Sequence, residues 1–160
     1  FEEIIEAMAR GDRVELRGPN GSCFYLPGRE DSSMLLVATG TGLAPLFGIL
    51  RTALQQGHTG QIHLYHGSYA PDGLYFVDEL SFMSDRYENF HYHPCVDVDA
   101  PDNMRQGRAS DLALQDHPQL KDWRVFLCGH PKMVEATKKA AFTAGAAFDD
   151  ILSDPFEISA

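Results

Sequence analysis

Residues 34–38 read MLLVA, and no polar side chain interrupts them. A strand that is apolar at every position has no face it can turn to water. It must be covered on both sides, as strands in the middle of a parallel sheet are. A glycine-rich turn follows at once, and then a segment over residues 45–56 with Leu46, Ile49, Leu50, Ala53 and Leu54 on one helical stripe. Pro45 suits a first helical turn and Gly57 a stop.

The alternation continues to the end of the chain. Strands are expected at 62–66, 90–96, 124–128 and a short one at Ile151 and Leu152. Helices are expected at 74–84, 110–114 and 131–144. Pro94 predicts a bulge or an edge within the strand at 90–96, and residues 97–108 read as a polar loop. Strands alternating with helices imply right-handed crossovers and a parallel sheet. Upstream, residues 11–25 read as two short β segments joined by the turn Gly18-Pro19-Asn20-Gly21, and residues 26–33, with Pro27 and Gly28, as a linker. The aromatic residues Phe47, Phe82 and Phe142 are expected in the core.

The 160 residues suffice for one domain with a proper core. A formal net charge of −10 leaves no basic footprint for nucleic acid. No apolar run reaches the roughly 20 residues of a membrane helix. No apolar block opens the chain, so no secretory signal is expected. The three cysteines, Cys23, Cys95 and Cys128, are odd in number and widely spaced, which argues for a reducing compartment, and the cytoplasm is the expected location. No CxxC pair is present. Among the histidines, His91 and His93 share one strand face while His63 and His66 do not, and neither a carboxylate nor a cysteine completes a ligand set, so no metal is expected.

Two motifs carry chemistry. Residues 38–45 read Ala-Thr-Gly-Thr-Gly-Leu-Ala-Pro, between the first buried strand and its helix. Glycines there let a ligand approach the backbone, and the free N–H groups of the helix start suit a pyrophosphate. A tight strand-to-helix turn that binds nothing would read the same. The usual dinucleotide fingerprint is not met, because Pro45 stands where its third glycine would be, and His66-Gly67-Ser68 replaces an acidic end to the second strand. Residues 126–133 read Phe-Leu-Cys-Gly-His-Pro-Lys-Met, again a strand end opening a helix. Taken alone, Cys128 would read as a buried packing residue. No GxSxG turn appears, and Cys128 has no identifiable base to make it a nucleophile.

Together these residues resemble the ferredoxin–NADP reductase superfamily, oxygenase-reductase and flavodoxin-reductase-like branch, whose nucleotide domain carries a GTGxAP turn and a CGxPxM turn. Gly67-Ser68 followed by residues 74–80 (LYFVDEL), residues 89–92 (NFHY), residues 116–120 (DHPQL) and Asp154-Pro155-Phe156 are similar to further family segments in the same order. Residues 18–24 (GPNGSCF) resemble the last hairpin of the family's FAD barrel. His130 departs from the family, which often has proline there.

The resemblance implies a five-stranded parallel α/β sheet, order 3-2-1-4-5, with helices on both faces and a β-hairpin remnant before it. Residues 1–28 would be the end of an FAD-binding β-barrel and residues 29–160 the NAD(P)H-binding domain. It implies that Gly40, Thr41, Gly42, Leu43, Ala44 and Pro45 hold the cofactor's phosphates, with Ser68 and Tyr69 near the adenosine ribose. Cys128, Gly129, Pro131, Met133 and Phe156 would line the nicotinamide side, with Cys128 and Thr41 as the catalytic positions. The function implied is positioning NADH for hydride transfer to FAD, with onward electron transfer to an iron–sulfur protein or domain, or an oxygenase component. A non-catalytic nucleotide-binding module of the same fold is the alternative. NADH is expected over NADPH, because residues 68–73 (SYAPDG) offer no cation for a 2′-phosphate and one repelling Asp72. Arg105 or Arg108 folding inward would reverse that expectation. Without a complete flavin site, the isolated chain is expected to show no diaphorase activity.

Overall fold

The structure is a computed structural model, and it describes residues 9, 11–13, 15, 21 and 23–156. The hairpin expected over residues 11–25 lies largely outside the described residues.

Six strands form one parallel sheet: β1 (Met34–Thr39), β2 (Ile62–Ser68), β3 (Phe90–Val96), β4 (Arg105–Gln106), β5 (Arg124–Gly129) and β6 (Ile151–Pro155). Their order is β4-β3-β2-β1-β5-β6. The five expected strands stand in the expected order. The sixth, β4, is a two-residue edge inside the stretch read as a polar loop, and it pairs only with Cys95 and Val96. So β3 is a free edge over most of its length, which is where a proline costs no ladder hydrogen bond. Pro94 sits in register opposite His66.

Helices cover both faces: α1 (Leu43–Gln55), α2 (Val77–Arg86), α3 (Ala109–Asp116) and α4 (Pro131–Thr143). α1 and α2 pack over Met34, Leu36, Ile62, Leu64 and Phe126. α3 and α4 pack over Leu35, Val37, Tyr65, Val125 and Leu127. The sequence MLLVA is thereby explained, since alternate residues of β1 enter opposite cores and all five are fully buried.

Two expected core residues are not in the core. Phe82 and Phe142 are 63% and 58% exposed. On α2, Leu80 and Met83 face the sheet, and Phe82, two positions from Leu80, is turned about 200° away. On α4 the inward stripe is Val134, Thr137 and Ala141, and Phe142 is turned about 100° off it. Phe47 is half-buried against the first core, beside Phe76 with ring centroids 5.5 Å apart.

The segment before β1 is fastened to the domain by side chains. Arg124, 3% exposed, donates from Nη1 to the Leu26 carbonyl at 2.6 Å and lies over the rings of Tyr25 and Phe126. Tyr25 Oη meets His58 Nδ1 at 3.2 Å. Arg29 pairs with Asp150 and donates to the Asp122 carbonyl.

The second face of the sheet holds an aromatic cluster that gathers four of the seven histidines. His63 Nδ1 and His93 Nε2 are 3.2 Å apart, His91 stacks on His63 at 4.6 Å, and Tyr65 stacks on His93 at 4.3 Å. From α3's end, His117 meets His63 edge-on at 4.4 Å. Tyr65 donates to Asp116 at 2.6 Å, and Arg105 holds the same carboxylate through both terminal nitrogens. Burial drives the His63 and His93 pKa values down to about 3 and about 4, with neighbouring charge adding to it, and burial also lowers that of His117. Across the sheet, burial lowers His66 to about 4. The hydrogen bond from Arg105 keeps Asp116 ionised down to about pH 2.

A histidine with a lowered folded pKa stays neutral while the unfolded chain takes up its proton near pH 6.5. Stability is then fully present above pH 6.5 and falls as pH drops toward 4. Each such histidine contributes at most about 1.4 kcal/mol per pH unit, less where solvent screens it. Urea unfolding midpoints measured between pH 8 and pH 4.5 should be flat above pH 7 and fall by at least one proton's slope below 6.5. His93→Gln should flatten that fall.

Candidate functional site

The two glycine turns end adjacent strands. β1 and β5 pair in register from Met34↔Arg124 to Ala38↔Cys128. The chain leaves β1 toward β2 on one side and enters β5 on the other. This is the topological switch point, outside the carboxyl ends of the strands, where open α/β sheets bind ligands.

After β1, residues Gly40–Gly42 make a single 3-10 turn and α1 begins at Leu43, two residues before the expected Pro45. Neither turn nor helix start has a side-chain cap or an acidic residue in its first turn. Their backbone N–H groups are left for an anion. The turn is braced from the α2 side by Tyr75, whose hydroxyl donates to the Gly40 carbonyl at 3.1 Å.

The turns touch through backbone. A Cβ on Gly42 would sit 2.2 Å from the Cys128 carbonyl oxygen and 2.6 Å from the Gly129 nitrogen. A Cβ on Gly129, at φ +132°, would sit 2.3 Å from Thr39 Oγ1. Thr39 Oγ1 accepts from the His130 backbone N–H at 3.1 Å, closing the junction. His130 also caps α4, with Nδ1 accepting from the Lys132 N–H at 3.3 Å. The departure from proline at this position therefore leaves the turn intact.

A cleft of about 1200 Å3 opens above this junction. Of the residues singled out in the sequence, Gly40, Thr41, Ser68, Tyr69, Gly129, Pro131, Met133 and Phe156 line it. Gly42, Leu43, Ala44, Pro45 and Cys128 do not. Gly42 and Leu43 are buried beneath the turn, while Ala44 and Pro45 follow along α1. Tyr69 is 70% exposed, its flat ring available on the wall formed after β2. The Phe156 N–H donates to the Gly129 carbonyl at 2.9 Å, which brings the chain's last described residue to the cleft edge.

Cys128 is fully buried, one residue below the cleft floor. Its sulfur is 3.5 Å from Cys23 Sγ. This contact, with burial adding to it, pushes the Cys23 thiol well above its ordinary pKa.

The cleft also contains groups that the motifs did not announce. Asp97 stands at the end of β3, Arg108 and Asp111 at the start of α3, and Lys132 in the first turn of α4. Lys132 falls within the second turn motif with no role read from it, and nothing in the local sequence marks Asp97 or Asp111. They become neighbours only because β2, β3 and β5 end at the same edge of one sheet. Arg108 is one of the two candidate cations for a 2′-phosphate and lines the cleft. Arg105, the other candidate, is committed to Asp116 on the far side of β4.

Residues 36–139 match the family model described as the oxidoreductase NAD-binding domain. The reductase subunit of an aromatic O-demethylase from Amycolatopsis sp. is 37% identical over 86% of this chain and 42% of that protein. The ferredoxin–NAD(P)+ reductase component of naphthalene 1,2-dioxygenase/salicylate 5-hydroxylase systems from Ralstonia sp. is 34% identical over 96% of this chain and 47% of that protein. A crystal structure of an Amycolatopsis reductase superposes with a TM-score of 0.87 at 34% identity, over 96% of this chain and 46% of that one. The chain spans about half the length of the curated relatives it matches. No helix among the described residues is long and apolar enough to cross a membrane.

Because Gly42 meets backbone on the far side, Gly42→Ala should destabilise the chain by about 1–3 kcal/mol, the usual cost of overpacking. A lowered melting temperature in that variant, with Gly48→Ala on α1 not destabilised because its Cβ would meet open space in ordinary helical backbone, checks the interlock.

Proposed function

The chain belongs to the oxidoreductase NAD-binding domain family of the ferredoxin-reductase type, and from that premise we propose that it is the part of a flavin-dependent reductase that binds NADH and presents it to FAD held by a neighbouring domain. The observation that carries this reading is the junction of the two turns. Side-chain-free backbone from β1 and β5 meets beneath one cleft, with the uncapped start of α1 beside it. A dinucleotide fits such a place, since its pyrophosphate needs N–H donors at close approach and its rings need flat apolar walls.

Gly40, Thr41 and Gly42 would hold the phosphates through backbone N–H groups. Tyr69 and Ser68 would take the adenosine end, and Thr41 the carboxamide. Phe156 would stand at the flavin edge. When bound, the cofactor pair supplies hydride chemistry, and the protein contributes placement and exclusion of water. Cys128 is the positioning residue of this scheme. Its thiol ends β5 on the side of Cys23 and the strapped segment, where the domain of residues 1–28 would continue. A general acid or base is not required, since no separate proton step accompanies hydride transfer.

NADH is the cofactor proposed over NADPH. Residues 68–73 carry no cation, and Arg105 is held by Asp116. Arg108 is in the cleft, but Asp97 and Asp111 share that wall. Electrons would pass on to an iron–sulfur protein or domain, or to an oxygenase component, in keeping with the oxygenase-system reductases this chain is similar to.

Stopped-flow flavin reduction in the intact reductase tests the reading. Cys128→Ala should slow reduction about tenfold or more, equivalent to about 1.4 kcal/mol in the barrier, with NADH affinity nearly unchanged, and Cys128→Ser should be less impaired. Wild-type rates in both variants would return Cys128 to a packing role, and absence of flavin reduction by either nucleotide would favour a non-catalytic module. A kcat/KM ratio favouring NADPH would overturn the cofactor assignment.

A further inference from the structure

Tyr75 stands between the turn after β1 and the start of α2. Its hydroxyl donates to the Gly40 carbonyl at 3.1 Å. The same carbonyl accepts from the Leu43 N–H, which closes the 3-10 turn, so two donors hold it. A trans peptide is planar, and a carbonyl fixed on one side aims the N–H of the next residue to the other. That N–H belongs to Thr41, and Gly40 and Thr41 line the cleft. Resting on the reading of the cleft as a dinucleotide site, we propose that Tyr75 is a positioning residue of the phosphate turn. It fixes the Gly40–Thr41 peptide so that the Thr41 N–H meets the cofactor's pyrophosphate, and His66 holds the Tyr75 ring in place for this.

The turn needs such a support. It is a single 3-10 turn without a side-chain cap, and Gly40 sits at φ +53°. Hydrogen bonds of 3-10 geometry are poor, and a glycine backbone rotates freely. A second donor on the carbonyl restricts that rotation. It also polarises the peptide, which strengthens its N–H as a donor. The next residue, Phe76, takes φ +58°, a strained conformation for a bulky side chain that its surroundings must hold. Its ring lies against Phe47 of α1, with centroids 5.5 Å apart. The chain makes this left-handed step between Tyr75 at the turn and Val77, where α2 begins.

Against Tyr75 lies His66 of β2, which is fully buried. The two rings are nearly perpendicular, with centroids 5.4 Å apart. His66 Nδ1 and Tyr92 Oη are 3.1 Å apart, which fixes the imidazole from β3. Its Nε2 has no hydrogen-bond partner among the described residues. A buried nitrogen left unpaired is costly, and an aliphatic side chain would fill the position without that cost. What the imidazole adds is a flat ring against Tyr75. Burial keeps His66 neutral above about pH 4. Burial also pushes the Tyr75 hydroxyl above its ordinary pKa, so it stays protonated and remains a donor.

The test uses the intact reductase, with NADH, ADP-ribose and adenosine as probes. Tyr75→Phe removes one hydroxyl and keeps the ring contacts to His66 and Phe76. It should weaken NADH and ADP-ribose by the same factor, about 3–10-fold, the worth of one hydrogen bond. Adenosine, which has no phosphate, should bind as it does to wild type. Flavin reduction at saturating NADH should stay within about twofold, so that KM moves and kcat does not. His66→Leu should weaken ADP-ribose in the same way, and His66→Phe, which keeps a flat ring, should restore part of the loss. The double variant of His66→Leu with Tyr75→Phe should bind no worse than Tyr75→Phe, because both act through one hydroxyl. Melting temperatures confirm that each variant is folded. Equal weakening of all three probes by Tyr75→Phe would overturn the proposal, and additive losses in the double variant would overturn the role given to His66. Wild-type ADP-ribose affinity in Tyr75→Phe would overturn the proposal alone, whereas a wild-type reductase that binds neither NADH nor ADP-ribose would refute the dinucleotide site as well.

Discussion

The backbone contact between the turn after β1 and the turn after β5 is the constraint on which the rest of the structure depends. Gly42 lies against the carbonyl of Cys128, and Gly129 against Thr39, at distances that admit no Cβ on either glycine. Parallel pairing of β1 with β5 sets the height of both turns, and Thr39 locks them with one hydrogen bond to His130. The cleft, the uncapped helix start and the placement of Phe156 all follow from that junction. It is a contact made largely of omitted atoms, and the Thr39 hydroxyl is the side-chain group that marks it.

The fold was legible because its strongest signals are local. An uninterrupted apolar strand, a glycine turn and a helical stripe need no knowledge of distant residues, and their repetition specified a parallel sheet with its order implied by the resemblance. Helix starts drifted where capping differed from expectation: α2 begins at Val77, three residues after the expected start, because residues Pro71–Gly73 form a separate 3-10 turn and Phe76 takes a left-handed conformation before the helix. The strand β4 was missed because two residues carry no periodicity. Phe82 and Phe142 were placed inside because hydrophobicity was read without its phase on the helix. An exposed phenylalanine is ordinary when it falls off the inward stripe.

The site was legible in part, and for a different reason. Glycines and a strand-end cysteine announce themselves by type, whereas Asp97, Arg108 and Lys132 are common residues on loops and helix starts. Their position in the cleft is a property of the sheet edge. The pair of Cys23 and Cys128 and the cluster around His63 have the same origin. The histidines of the cluster meet through the register of β2 with β3, and Cys23 reaches Cys128 from the segment ahead of β1, so each joins residues far apart in sequence. The two faces of the sheet consequently differ in character. One is packed mainly by aliphatic side chains under α1, and the other carries stacked imidazoles closed by the Arg105–Asp116 pair.

The strap ahead of β1 is fastened unevenly along its length. Near residue 29 it is held by a partly exposed ion pair, of the kind that typically contributes only about 0–1 kcal/mol. Near residues 25 and 26 it is held by a buried arginine sandwiched between aromatic rings. Mechanical load arriving from the upstream side therefore meets the firm rivet first, with the soft clip between it and β1. Such a joint yields by a small pivot about Arg124 before it peels, so the chain at Tyr25 can swing while the distance from the pivot to the cleft stays fixed.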